Sequence, residues 1–152
     1  MLVTVPGMPV TPAISLVTLG VRDVAAATRF YQALGFPLSS ASVPGVVSFF
    51  RTAGGLLGLY GADDLADDAQ LPRAANEQFR GVSLAVNLGS REQVDAAIGA
   101  AEAAGARVIK AAQATEWGGY HAYFADPDGH AWELAHNPFW PLDERGLPVL
   151  PD

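Results

Sequence analysis

Apolar and β-branched stretches alternate with helical stripes in one order that is used twice along the chain. Ile14 to Val21 (ISLVTLGV) is dense in β-branched and apolar residues and predicts a strand that stops at Arg22-Asp23. Asp23 carries the short carboxylate that caps a helix, and Val24, Ala27, Phe30, Tyr31 and Leu34 then recur at helical spacing. Gly35 follows, where a helix end wants a residue that tolerates positive φ. Val46 to Arg51 and Leu56 to Tyr60 predict two more strands, joined through Thr52, Ala53, Gly54 and Gly55, with Leu38 to Ser42 as a candidate for another.

The second half repeats this order. Gly81 to Leu88 (GVSLAVNL) is strand-like, and Ser90 with Gln93 three residues later is a capping-box pattern. Val94, Ala97, Ile98, Ala101 and Ala104 share a helical face before Gly105, and Arg107–Ala111, Tyr120–Ala125 and Ala131–His136 predict three further strands. Asp126-Pro127-Asp128-Gly129 is a turn signal, Pro suiting the second position and Gly the fourth. The reading is an α+β fold of two tandem βαβββ units, each sheet burying one face under its helix, the other faces forming a shared open trough. Unit one spans residues 14–61 and unit two 81–136, with a loose arm over 1–13, an acidic solvated linker over 62–80 that includes DDLADD, and a Pro-rich tail over 137–152.

Composition narrows the function. The chain has 152 residues, 16% charged, with 9 Lys and Arg against 16 Asp and Glu and a net charge of -7. So acidic a chain, without a basic cluster, has no general attraction to phosphate backbones or anionic lipid, and no run approaches the ~20 apolar residues of a membrane span. Nucleic acid and membrane are therefore not expected partners. Cysteine is absent, which excludes disulfides, thiolate metal sites and a Cys nucleophile and suits a cytoplasmic setting. No GxGxxG, P-loop, GxSxG or HExxH pattern occurs.

The tandem βαβββ order, the FYQALGF helix and the closing YFADPDGHAWEL hairpin after a Trp-Gly-Gly turn resemble the vicinal oxygen chelate superfamily of glyoxalase I, bleomycin-resistance proteins and extradiol dioxygenases. The resemblance covers about residues 14–140 and implies that fold and a homodimer. Metal-dependent members carry four ligands, on the first and last strand of each unit. Superimposing Asp23 on Ser90, and Gly55 on Gly129, makes the corresponding positions Leu16, Leu59, Ser83 and Glu133. Two are hydrocarbon and Ser is a weak donor, so no metal and no other cofactor is expected.

A four-residue turn at 126–129 would pair Ala125 with His130, Tyr123 with Trp132 and His121 with Leu134, and set Ala122 opposite Glu133. Alternation would then place Ala122, Tyr120 and Phe124 on the trough face with Glu133, and His121, His130, His136 and Trp132 on the other. The repeat carries this face to Val46, Ser48, Phe50, Leu57 and Leu59, and the first strands add Leu16, Thr18, Ser83, Ala85 and Asn87. Thr18, Ser48, Phe50, Leu59, Ser83, Asn87, Trp117, Tyr120 and Phe124 are thus the candidate ligand contacts. Glu133 is the candidate catalytic base or anchor, and His121 a candidate acid or base should the register slip. His130 is read as a turn residue and His136 as a packing or hydrogen-bonding one. The expected function is binding of a small, partly apolar organic molecule. A metal-dependent glyoxalase-like lyase or extradiol dioxygenase, and a structural homodimer with a filled trough, are the alternatives.

Overall fold

The computed structural model describes residues 7, 10–73 and 78–152. Most of the expected arm over 1–13, and 74–77 of the expected linker, lie outside them. The chain runs β1 (Leu16–Val21), α1 (Val24–Ala33), β2 (Val47–Arg51), β3 (Leu56–Gly61), α2 (Ala62–Asp68), β4 (Ser83–Asn87), α3 (Arg91–Ala103), β5 (Arg107–Ala114), β6 (Tyr120–Ala125) and β7 (Ala131–His136). One sheet has the order β1-β3-β2 and the other β4-β7-β6-β5. In each the unit's first strand pairs in parallel with its last, so the two βαβββ-like units share one topology. In unit one the strand after the helix shrinks to the single bridge Leu38↔Phe50, which leaves that sheet three-stranded. Among the described residues no helix is long and apolar enough to cross a membrane.

Both long helices start where short polar side chains take up an orphan N–H. The Asp23 carboxylate accepts from Ala26 N at 3.0 Å and the Ser90 hydroxyl from Gln93 N at 3.1 Å. Within the acidic segment, Ala62–Asp68 forms a short helix. Asp63 and Asp64 sit in its first turn, where the helix dipole favours negative charge, and Ala62 and Leu65 pack against Gly20 of β1.

The core is one cluster spanning both units. Leu19, Val21, Phe50, Leu57 and Leu59 of the first sheet meet Val24, Ala27, Phe30 and Tyr31 of α1, and Ala122, Phe124, Trp132 and Leu134 of the second sheet join them. Phe30 lies 6.5 Å from Phe124, and Tyr31 5.9 Å from Trp132, between ring centroids. Thus α1 is a wedge that packs on its own sheet and touches the other.

Polar bonds hold the wedge in register. Asp126, 4% exposed, accepts the Tyr31 hydroxyl on Oδ2 at 2.6 Å, while its Oδ1 accepts the backbone N–H of Asp128 and of His130 at 2.9 Å each. The Trp132 indole N–H donates to the Tyr31 oxygen at 3.0 Å. Asp128 Oδ1 accepts Arg22 N at 2.9 Å and Arg22 Nε at 3.2 Å. His130 Nε2 lies 2.7 Å from the Gly20 carbonyl, which can only accept, so this nitrogen carries the proton. Nδ1 then accepts from Arg80 Nη2 at 3.0 Å. The turn of unit two is thereby fastened to the β1–α1 junction of unit one, and His130 is a bonded turn residue.

Burial, and then the charge of Asp126, push the Tyr31 phenol far above its ordinary range. With the folded-state pKa above the unfolded value of about 10, the linked stability is whole below pH ~10 and is lost as pH climbs above it. Tyr31→Phe, which strands a buried carboxylate oxygen, should lower urea-melt stability at pH 7 by about 1–3 kcal/mol. The same variant should lose proportionately less stability than wild type between pH 9 and pH 11.

Candidate functional site

The β6–β7 connection decides which side chains meet Glu133. Asp126 N donates to the His130 carbonyl at 2.9 Å, and the first ladder pair outside the turn is Ala125↔Ala131. The loop therefore holds five residues, with Gly129 at φ 85°, rather than the expected four. One extra residue inverts every facing relation across the hairpin. Tyr123 pairs with Glu133, Ala122 with Leu134, His121 with Ala135 and Phe124 with Trp132. His121 thus shares the face of Glu133, while Trp132, Ala122 and Phe124 face the helices.

On that open face three strands contribute to one polar chain. His121 Nδ1 on β6 is 2.7 Å from Glu133 Oε2 on β7, and His121 Nε2 is 3.0 Å from Lys110 Nζ on β5. An ammonium can only donate, so Nε2 accepts, and the ring proton sits on Nδ1 and is donated to the carboxylate. Tyr123 stands beside Glu133 as its ladder partner. Burial first, and then the charge and hydrogen bond of Glu133, raise its phenol above the usual range. Glu133 is 22% and His121 12% exposed, and the two are bonded.

Beside Glu133 lies a pocket of about 350 Å³ lined by Ala85, Asn87, Trp117, Glu133, Ala135, Asn137 and Trp140. Ala85 and Asn87 enter from β4, which pairs in parallel with β7 through Ala85↔Glu133 and Asn87↔Ala135. Trp117 comes from the β5–β6 turn. Its ring occupies the space a side chain at Gly119 would need, a Cβ there falling 2.0 Å from Cη2, which is why a glycine must follow. Trp140 comes from the tail, where Asn137 caps a turn by accepting Phe139 N at 2.9 Å. Unit one contributes nothing to this lining.

The candidate contacts divide accordingly. Asn87 and Trp117 line the pocket, Ser83 stands on the same face opposite Ala131, and Thr18 is on the open face of the first sheet. The others are corrected. Phe50 and Leu59 are fully buried in the core, and Ser48 is buried beneath α1 with its hydroxyl 2.7 Å from Thr28 Oγ1. Phe124 stacks on Trp132 in the core, and Tyr120 faces α3, where its hydroxyl donates to Asp95 at 2.6 Å under Arg91. His136 Nδ1 donates to the Leu88 carbonyl at 3.0 Å, a strand-end bond. Lys110, Tyr123 and Asn137 are not among the candidates that the sequence offers. A count of the DPDGH loop as five residues would have found Tyr123, whereas Lys110 lies on β5, where register shifts against β6 hide it.

Register also corrects the family ligand position on the last strand of unit one. Ser83 pairs with Ala131 and Glu133 lies two residues on, whereas Leu16 pairs with Leu56, so the equivalent of Glu133 is Gly58 and not Leu59. Leu16 closes over that glycine, its Cδ1 3.3 Å from where a Cβ would stand. The four positions then offer one carboxylate and one hydroxyl, a donor set that does not fit a Zn, Ni or Fe ion. Among the described residues no three His, Cys, Asp or Glu gather around a common point.

The family model described as Glyoxalase/Bleomycin resistance protein/Dioxygenase superfamily matches residues 13–134, and the chain belongs to that family. It is similar to the solved structure of a glyoxalase-related enzyme from Fulvimarina pelagi at 29% identity and TM-score 0.81, covering 91% of this chain and 98% of that one. It is likewise similar to a glyoxalase/bleomycin resistance protein/dioxygenase from Nocardioides, at 30% identity and TM-score 0.71 with 86% of each chain covered. A third, a family enzyme from Burkholderia phytofirmans PsJN, is 27% identical with TM-score 0.70, over 82% of this chain and 98% of that one. No curated protein sequence matches.

The tautomer is directly measurable. At neutral pH, ¹⁵N NMR of wild type should show His121 protonated on Nδ1 and bare on Nε2, and Lys110→Met should release the ring toward a tautomer mixture. A wild-type ring protonated on Nε2 alone would contradict the bonding scheme.

Proposed function

We propose that the chain binds a small, partly apolar organic molecule in the pocket beside Glu133, without a complete metal site of the family kind. The observation that carries this reading is a hydrogen-bonded carboxylate facing a concavity with two indoles in its wall. Trp117 and Trp140 supply broad apolar surface for a flat or hydrocarbon body, and Ala85 and Ala135 keep the floor low. Asn87, Asn137 and Glu133 are the convergent polar groups that orient it. Glu133 serves either as an anchor for a ligand N–H or O–H or as a proton acceptor, and His121 holds it in place by bonding one of its oxygens. Thr18 and Ser83 remain secondary contacts from the open faces.

The working form is proposed to be a homodimer. Leu16, Leu56 and Val82 are 40%, 45% and 61% exposed, more apolar surface near the sheet edges than a lone domain needs.

Screening small organic compounds by tryptophan fluorescence and thermal shift tests the reading. A ligand should stabilise wild type and bind Glu133→Gln about tenfold or more weakly, the loss expected when a bond to a charged acceptor goes. Protein purified without chelator should carry Zn, Ni, Mn and Fe well below one per chain. Stoichiometric metal that disappears in Glu133→Gln, or ligand affinity indifferent to that substitution, would overturn the proposal.

A further inference from the structure

A second concavity, which shares Ala85 and Asn87 with the Glu133 pocket, opens between the edge strands β1 and β4. Its volume is about 620 Å³, inside the range of roughly 300–1,000 Å³ typical of small-molecule sites. Leu34 and Phe36 at the end of α1, Val17 and Leu57 of the first sheet, and Leu84 and Trp132 of the second make its apolar wall. The β2–β3 turn over 52–55 bounds it on one side. The tail bounds it at Arg145–Pro148, with Leu147 lying against Gly54.

The charge of this groove runs against the charge of the molecule. The chain carries 9 Lys and Arg against 16 acidic residues, yet the lining includes two arginines, Arg51 and Arg145, and no carboxylate. Among the described residues the Arg51 guanidinium has no hydrogen-bond or ion-pair partner. Arg145 has only Asp143, 3.6 Å from its Nη2, and that carboxylate is already held by the backbone N–H groups of Arg145 and Leu147 at 2.8 and 3.0 Å. Two guanidiniums beside hydrocarbon, one without a counter-ion, suit a ligand with an apolar body and an anionic head. A volume of this size suits a small molecule rather than a protein segment.

We propose that this groove is a second binding site, adjoining the Glu133 pocket at Ala85 and Asn87, for an amphipathic carboxylate. Its head pairs with Arg51 and secondarily with Arg145, and its hydrocarbon or aromatic body lies among Leu34, Phe36, Leu57, Leu84 and Trp132.

Decanoate, used below micelle-forming concentrations, is the probe, with decanol and decylammonium of equal chain length as controls. Calorimetric titration of the full chain should show saturable decanoate binding, with decanol and decylammonium at least about tenfold weaker. Arg51→Gln should lose about tenfold in decanoate affinity and Arg145→Gln less, while Glu133→Gln should bind decanoate as wild type does. Both arginines are exposed at the surface, so these variants should fold, and an unchanged thermal midpoint without ligand would verify it. NMR shifts induced by decanoate should centre on Leu34, Phe36 and Leu84. Equal affinity for decanoate and decanol, shifts centred on Trp117 and Trp140, or no saturable binding would each overturn the proposal. So would groove shifts that grow with protein concentration and ignore decanoate, since a second copy of the chain would then fill the space. Because Glu133→Gln is silent here and decisive for the other pocket, failure of one site is distinguishable from failure of the other.

Discussion

The buried Asp126 carboxylate is the constraint on which the arrangement of this molecule rests. A charge in an interior of leucine and phenylalanine is tolerable only if its oxygens are bonded. Here the donors come from both units, the Tyr31 hydroxyl from α1 and two backbone N–H groups from the carboxylate's own turn. The same three bonds fix the loop conformation, orient Tyr31 beneath the Trp132 indole, and set the first helix against the second sheet. Arg22 and His130 extend the attachment on either side. The apolar cluster supplies most of the cohesion, but it is directionless. The geometry of the two sheets follows from these directed bonds.

From that turn the chemistry of the open face follows by counting. Because Asp126 draws Asp128 and His130 inward, the loop closes after five residues, and the ladder resumes at Ala125↔Ala131. Tyr123 and His121 then stand beside Glu133. A loop one residue shorter would have sent both rings into the core and put Ala122 and Phe124 on the surface. The register that secures the two units is thus the register that assembles the carboxylate, imidazole and ammonium chain, and the two cannot be altered separately.

Family membership and the side chains in place point in different directions at one spot. The positions that correspond to the family's metal ligands hold Leu16, Gly58, Ser83 and Glu133. The surviving carboxylate is bonded by the His121 imidazole. The indoles of Trp117 and Trp140 shape the space beside it. Chemistry at such a site depends on hydrogen bonding and apolar contact, the interactions a small organic ligand can answer.

Much of the architecture was legible in the chain itself. Period-two and period-3.6 patterning located both sheets and both long helices, Asp23 and Ser90 marked where the helices start, and the internal repeat gave the tandem order. These are local properties, written in neighbouring side chains. Acid content alone did not predict the short helix over 62–68, which depends on Ala62 and Leu65 meeting Gly20. The faces of the strands also escaped. Alternation says which residues share a side but not which side is which, and one residue in a turn reverses the answer. Ser48, Phe50, Leu59, Tyr120 and Phe124 were therefore assigned to the wrong face, while Thr18, Ser83 and Asn87, on the strands that lead into the correctly aligned helices, were not. The pairing of His121 with Glu133, the crossing of the tail to the first unit, and the groove holding Arg51 and Arg145 come from contacts between residues far apart in the chain. Only the tertiary structure could decide them, because a long-range contact is set by the register and packing of whole elements and leaves no periodic trace in the sequence.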